Sequence, residues 1–399
     1  MLTPEQAWSR IAERIVPLPI ERVTRRAALG RTLAQALAAT TEVPASDVSA
    51  LDGFAFAGEH SPPTTLPIAL TVSAGDPPGV ELASGSAARI WTGAPVPTGA
   101  DRVVGVEETE EAGDDRVRIL RTVAAGNAIR RRAEILAVGA PLLDVGAELG
   151  PAALALLASQ GIDGVAVRRA PRVAVLTTGD EVVDAGRTPA PGQLRDSHTD
   201  YLLAAGRRLG FELVSLGIAA DDADELRRRI GGALETSDVV LVCGGVSMGG
   251  RDLTERALEA LGVEIEFDGV AVQPGKPLVF GHRGERLLFG LPGNPGSVMV
   301  AFRLFVRPAL VRLAGGRASF WDDARPLRLA SPLAAGKPRD RFVPARSERD
   351  PGGLERVRPL GVRGSHDLAT FGRADRLLRV RAGAPPRAAG DEVEAIDWE

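Results

Sequence analysis

Cysteine and lysine are almost missing from this 399-residue chain, and each scarcity excludes something. A single cysteine, Cys243, rules out an internal disulfide framework. Its place at the end of the apolar run Val239–Cys243 makes it a small packed hydrophobe. No stretch of about 18 consecutive apolar residues is present, and the N-terminus lacks the apolar segment of a signal peptide, so a soluble cytoplasmic protein is expected. Excess charge is missing too. Lys plus Arg total 48 against 52 Asp plus Glu, a net −4 that gives no basic footprint for nucleic acid. Arg130-Arg131-Arg132 and Arg227-Arg228-Arg229 read as local features. Only two of the 48 basic residues are lysines, Lys276 and Lys337. Where basic positions are otherwise written as arginine, Lys276 reads as a site needing a compact ammonium, which the arginine fork does not imitate. Lys337 reads as a leftover without a role.

What is present suffices for a large core, with 44% apolar residues and a length fitting about two to four domains. Three short apolar runs lead directly into polar loops. Val173 to Leu176 enters Thr177-Thr178-Gly179-Asp180-Glu181. Val239 to Cys243 enters Gly244-Gly245-Val246-Ser247-Met248-Gly249-Gly250-Arg251-Asp252, and Val270 to Val272 approaches Pro274-Gly275-Lys276-Pro277. Such runs, spaced by helical patterns, predict buried strands of a parallel sheet, whose ligands sit beyond the strands' carboxyl ends. In those loops, Asp180, Glu181 and Asp252 suit a metal, Lys276 suits a phosphate, and the glycines let backbone approach an anion.

Around this centre the pattern predicts an α/β multidomain protein. Thr3, Pro4 and Gln6 form a capping-box start for a helix ending before Pro17. From Phe54 to about Leu120, short alternating runs broken by Pro and Gly predict a β-rich insertion, with Asp52-Gly53 a hairpin signal. Gly150-Pro151 starts a helix that Gly161 terminates. Ser197 with Asp200, Asp221 with Asp224, and Asp252 with Glu255 mark helix starts in a doubly wound α/β domain. Asn294-Pro295 begins the last helix, toward Leu313, and the remainder reads as a small β-barrel or sandwich. An Asp before a helix is commonly only a cap, as is Asn294, but four glycines and a serine beside Asp252 exceed what a cap requires.

Seven strings in order resemble the molybdopterin molybdenumtransferase family, which includes the E domain of gephyrin. They are Ser49-Ala-Leu-Asp52-Gly-Phe-Ala, Thr92-Gly-Ala-Pro-Val-Pro-Thr-Gly-Ala-Asp101, Thr178-Gly-Asp-Glu181, Arg195-Asp196-Ser197, Gly244-Gly-Val-Ser-Met-Gly, Pro274-Gly-Lys-Pro277 and Leu291-Pro-Gly-Asn-Pro295. The resemblance covers essentially the whole chain. It implies that adenylylated molybdopterin and molybdate yield the molybdenum cofactor and AMP with Mg²⁺, in a homodimer whose cleft lies between subunits. It implies four regions: residues 1–52 with 125–169, 53–124, 170–316 and 317–399. An upstream molybdopterin adenylyltransferase would supply the substrate. Carried over by motif, Asp52 is a trans-subunit acid, and Asp52, Glu181, Asp252 and Lys276 form the catalytic set. Asp180, Glu181 and Asp252 are metal ligands. Thr178, Gly179, Asp196, Ser197, Gly244, Gly245, Ser247, Pro292, Asn294, Arg346 and Ser365 contact the pterin.

The chain departs from the family pattern in several places. Gln273 stands where Lys is common before Pro-Gly-Lys-Pro, and His198 where Asn is usual. Gly250-Arg251 replaces an acidic position, and Leu51 and Phe54 replace Met and Tyr. Arg251 is a candidate to restore the charge lost at Gln273. Two alternatives accompany this reading. Molybdopterin adenylyltransferase resembles only the middle of the chain, and a non-catalytic pterin-binding paralogue or scaffold has no evident need for retained carboxylates near an anion.

Overall fold

In the computed structural model, residues 1–245 and 251–398 are described, with Arg251–Leu253 by backbone alone. The chain forms two compact units. The first comprises Met1–Ala34, Val145–Pro151 and Gly164–Glu399, and the second Gln35–Asp144 and Ala152–Asp163.

The first unit is built on a six-stranded sheet in the order Leu213–Ala219, Val173–Thr178, Val239–Cys243, Arg286–Leu291, Val279–Arg283, Glu264–Phe267. Its first four strands pair in parallel. The apolar runs are continuous because both faces are covered. Val173, Val175, Val239, Leu241, Cys243 and Phe289 enter one core with the N-terminal helix residues Ala7, Trp8 and Ile11. Ala174, Leu176, Val240, Val242 and Leu288 enter the other with Leu226, Ile230 and Leu258. The two-residue period of a strand thus divides each run between two cores. Each Val, Leu, Ile or Phe among them contributes about 1.5–3 kcal/mol by leaving water.

One strand expectation is corrected. The segment before Pro274 does not join this sheet: Val272–Gln273 pairs in parallel with Asp340–Arg341 in the C-terminal region. The central sheet is instead extended by antiparallel strands. Gly284, at φ +59°, lies in the two-residue connection between Val279–Arg283 and Arg286–Leu291, and a link that short permits only an antiparallel return.

Helix starts are close to expectation, with two changes of capping residue and one cap that makes no side-chain bond. The N-terminal helix is Pro4–Glu13 with its capping box present. For the helix His198–Arg208 the cap is Asp196, whose Oδ1 accepts from the His198 and Thr199 N–H groups at 2.9 and 3.2 Å, whereas Ser197 makes no side-chain cap bond. Asp222, not Asp221, caps Ala223–Thr236. Asn294 makes no cap bond to the helix it precedes. That last long helix is interrupted, since a π segment Phe302–Val306 separates Pro295–Ala301 from Arg307–Leu313. Pro308 cannot donate a backbone bond and its ring clashes one turn back, a misfit that the wider π turn accommodates. A short helical turn, Leu368–Phe371, follows later.

The C-terminal region is a closed five-stranded barrel in the order Asp340–Arg349, Glu355–Pro359, Arg325–Leu329, Glu392–Asp397, Arg376–Val380, completed by pairing of Arg376–Val380 with Asp340–Arg349. Leu329, Ala345, Val357, Leu378 and Ala395 fill it.

The second unit carries a six-stranded sheet, Arg102–Gly105, Gly53–Phe56, Ala87–Ile90, Thr64–Val72, Arg116–Ile119, Thr109–Glu111. Asp52-Gly53 is not a hairpin. Gly53 opens an inner strand, and a Cβ there would lie 1.8 Å from the Val104 carbonyl oxygen, so the close strand approach requires glycine.

Candidate active site

The parallel strands deliver Thr178, Gly244 and Pro292 to one edge of the central sheet. There the Gly244 N–H donates to the Leu291 carbonyl at 3.1 Å, tying neighbouring strand ends together. Gly244 and Gly245 have φ of +91° and +66°. A Cβ on Gly244 would stand 2.5 Å from the Thr178 carbonyl oxygen, and one on Gly245 2.6 Å from Thr254 Oγ1. Both glycines therefore answer to backbone conformation and to space. The hydroxyls of Thr178 and Thr254 are buried here, and neither has a hydrogen-bond partner among the described residues. Leaving a buried hydroxyl unsatisfied costs about 1–3 kcal/mol, so the pair marks where polar atoms of a ligand would be accommodated. Thr254 went unnoticed in the sequence. Its signal was its place in the first turn of a helix at a strand's carboxyl end.

Carboxylates gather beside this edge. Glu181 folds back over Gly179, where a Cβ would meet Glu181 Oε2 at 2.7 Å. Asp180 Oδ1 accepts from the Asp221 N–H at 3.1 Å. Burial, reinforced by the charges of Asp180 and Glu181, holds the Asp221 carboxyl above the ordinary range. By sequence pattern Asp221 marks only a helix start. With Asp222 taking that task, Asp221 joins the acidic cluster. Like charges crowded in this way suit a divalent cation, although no group of three or more ligating side chains converges among the described residues. Ser247 lies outside the described residues, as do the side chains of Arg251 and Asp252. The backbone places Asp252 in the first turn of Arg251–Ala260.

Next along the sheet, a cavity of about 550 Å³ opens between the central domain and the barrel. Gln273, Lys276, Pro292, Asn294, Ser297 and Ser365 line it. The Ser365 carbonyl also accepts from the Gly296 N–H at 2.9 Å, fastening the cavity wall to the start of the last long helix. Lys337, Arg339 and Arg341 line it as well, and among the described residues no aspartate or glutamate does. Lys337 is therefore no stray leftover, because both lysines of the chain border one space. Arg346 does not line it. Its side chain is exposed further along the Asp340–Arg349 strand, and Pro344 of that strand borders the cavity.

Asp196 and Ser197 flank the sheet edge. Asp196 is nearly buried and accepts from Thr199 Oγ1 at 2.6 Å, and Thr199 Oγ1 in turn lies 3.1 Å from Thr177 Oγ1. The aspartate is thus engaged in anchoring a helix to the strand. Burial disfavours the charged form of His198, holding its pKa below the usual histidine value.

Asp52 belongs to the second unit, and the two upstream strings meet around it. Asp52 Oδ1 accepts from the Thr92 hydroxyl and the Thr92 N–H, both at 2.7 Å. Those bonds hold the exposed carboxyl below the ordinary aspartate value. Ser49 and Ala94 are linked by a 2.9 Å backbone bond, and Gly93 donates to Ser49 at 2.8 Å, so the two strings form one local structure.

A doubly wound sheet with glycine-lined strand ends, an acidic cluster and an adjoining cationic cavity defines an α/β protein that handles an anionic ligand. Comparison with known proteins makes the class specific. Family models for the MoeA N-terminal region (domains I and II), a probable molybdopterin-binding domain and the MoeA C-terminal region (domain IV) match residues 2–161, 174–312 and 326–398. A molybdopterin molybdenumtransferase of Haemophilus influenzae is 32% identical over 98% of both chains. One from a Nostoc species is 38% identical over 74% of this chain and 70% of its own length. A molybdopterin biosynthesis MoeA protein from Pyrococcus horikosii superposes with a TM-score of 0.82 at 31% identity, covering 100% of this chain and 99% of that one. The chain belongs to the molybdopterin molybdenumtransferase family.

Proposed function

We propose that this protein inserts molybdate into adenylylated molybdopterin, releasing AMP and forming the molybdenum cofactor. The observation that carries the reading is the adjacency, within one unit, of a cationic cavity and a glycine-lined strand edge, the cavity without a lining carboxylate and the edge with hydroxyls that lack a partner among the described residues. The cavity suits an oxyanion, and the strand edge suits a phosphorylated pterin. Lys276 would offset negative charge as the phosphoanhydride breaks, Gly244 and Gly245 would let backbone approach a phosphate, and Thr178 and Thr254 would hydrogen-bond the ligand. Asn294, free of capping duty and bordering the cavity, would orient the substrate.

Mg²⁺ would be held by Asp180 and Glu181 with Asp252, and would supply charge neutralisation at the phosphate oxygens. Asp52 would act as the acid contributed from a second copy of the chain, in a homodimer. Ser247 would contact the pterin. The division into four regions fits this reading, as does supply by a molybdopterin adenylyltransferase in the cytoplasm. No helix among the described residues is long and apolar enough to cross a membrane.

Single-turnover incubation with adenylylated molybdopterin and Mg²⁺, with and without molybdate, tests the proposal. AMP release that depends on molybdate is expected. Tight pterin binding without AMP release would identify a non-catalytic paralogue instead, and sedimentation would test the dimer.

A further inference from the structure

We propose that Lys337, carried by the barrel, is a second ammonium of the oxyanion site and supplies charge that the neutral Gln273 does not. This inference rests on the anion reading of the cavity given above.

Three observations lead to it. First, a cavity lined by 25 of 399 residues takes both lysines of a chain that otherwise writes its basic residues as arginine. Among the described residues no ion-pair partner accompanies Lys276, Lys337 or Arg339, although many of the chain's arginines are paired. Uncompensated cations around a space without carboxylates favour an anion within it.

Second, the strand register places Gln273 directly beside Arg341. Arg341 is not itself free to serve the ligand fully, because its Nη1 donates to the Ala335 carbonyl at 2.9 Å. That bond fastens the segment leading to Lys337 against the strand that pairs with Val272–Gln273. Arg341 is therefore a positioning residue.

Third, the backbone at Lys337 is fixed on both sides. The Gly336 N–H donates to the Ala384 carbonyl at 2.7 Å, and the Lys337 carbonyl accepts from the Gly383 N–H at 3.1 Å. Gly336 permits this packing, since a Cβ there would lie 2.4 Å from the Arg381 carbonyl oxygen. Lys337 is exposed, and exposure alone calls for no such rooting. A lysine that must present its ammonium at a fixed place gains from it, because less freedom is lost on binding.

The test is equilibrium binding of molybdate to the full-length protein, by ultrafiltration with elemental analysis. The wild type is compared with Lys337→Gln, Lys337→Arg, and Lys337→Gln combined with Gln273→Lys. Loss of one charge-assisted hydrogen bond predicts roughly tenfold weaker binding for Lys337→Gln at an unchanged Tm. Partial recovery is expected for Lys337→Arg and for the Gln273→Lys double variant. Unchanged affinity in Lys337→Gln would overturn the assignment of Lys337 while leaving the cavity reading intact. Absence of molybdate binding by folded wild type would overturn the cavity reading and this inference with it.

Discussion

Gly244→Ala should separate two effects that glycine substitutions usually confound. At φ +91° an alanine incurs left-handed backbone strain of about 1–2 kcal/mol. Its Cβ would also sit 2.5 Å from the Thr178 carbonyl oxygen, a backbone atom held in the parallel ladder with Leu213–Ala219, so relief requires the strand ends to part. Overpacking of that kind costs about 1–3 kcal/mol, giving a combined loss of about 2–5 kcal/mol. Gly232→Ala is the internal comparison. Gly232 lies exposed within the helix Ala223–Thr236 with open space around its Cβ position, so the same substitution should stabilise by about 0.5–1 kcal/mol.

Urea unfolding read through tryptophan fluorescence measures both, because Trp8, Trp321 and Trp398 all belong to the first unit. Opposite shifts of the midpoint are expected. A Gly244→Ala protein within about 0.5 kcal/mol of wild type would refute the close Thr178–Gly244 approach and the strand-edge geometry built on it. At temperatures where Gly244→Ala remains folded, its AMP release should still be impaired, since the displaced strand ends are where the phosphate is proposed to bind.

Lys276→Gln should raise the molybdate concentration needed for half-maximal AMP release by roughly tenfold, through loss of a charge-assisted contact; an unchanged molybdate requirement would remove Lys276 from the oxyanion site. Glu181→Gln should raise the Mg²⁺ requirement of the same assay, and a metal titration superimposable on wild type would count against the acidic cluster as the cation site. Asp52→Asn should slow single-turnover AMP release by about 100-fold or more while leaving Tm unchanged, and a comparable loss of Tm would assign Asp52 a structural task instead. Asp238→Ala should cost about 3 kcal/mol, the low end for breaking a buried pair because Arg169 and Arg286 both reach solvent. Burial acts to raise the Asp238 pKa, but hydrogen bonds from Arg169 and from the Arg172 N–H outweigh it and hold the carboxyl below its ordinary value. Stability from this carboxylate is therefore fully present above about pH 3.8 and lost as pH falls through the lower folded value, so acid unfolding of Asp238→Ala should lack that component.

The central sheet was legible because a strand buried on both faces leaves an uninterrupted apolar run, as at Val173–Leu176 and Val239–Cys243. The strand before Pro274 was misplaced for the same reason in reverse. Val270 and Val272 are as buried as the sheet strands, and nothing in a three-residue apolar run tells which of two sheets it will join. Asp52-Gly53 carried a turn signal because composition cannot reveal a 1.8 Å approach by a distant carbonyl. The capping residues at Asp196 and Asp222 were missed by one position each, since adjacent Asp-Ser and Asp-Asp pairs offer equivalent side chains and only the chain path selects between them. Asp221 and Thr254 became visible as site candidates only once the strand ends were assembled.

The departure of Val272–Gln273 from the central sheet bears on how the cavity is made. Had that segment continued as a parallel strand, Pro274-Gly275-Lys276-Pro277 would have emerged beside the glycine loop, and the barrel would have been a separate appendage. Because the segment pairs with Asp340–Arg341 instead, a two-residue ladder joins the lysine loop to the barrel wall. Barrel residues Lys337 and Arg339 thereby border the same space as Lys276 and Asn294. Charge at the cavity can then be redistributed between the two walls without altering the core of either. A chain that carries Gln273 on one wall and keeps its other lysine on the facing region is one such distribution, and the Lys337→Gln, Gln273→Lys double variant asks whether the walls are interchangeable in this respect.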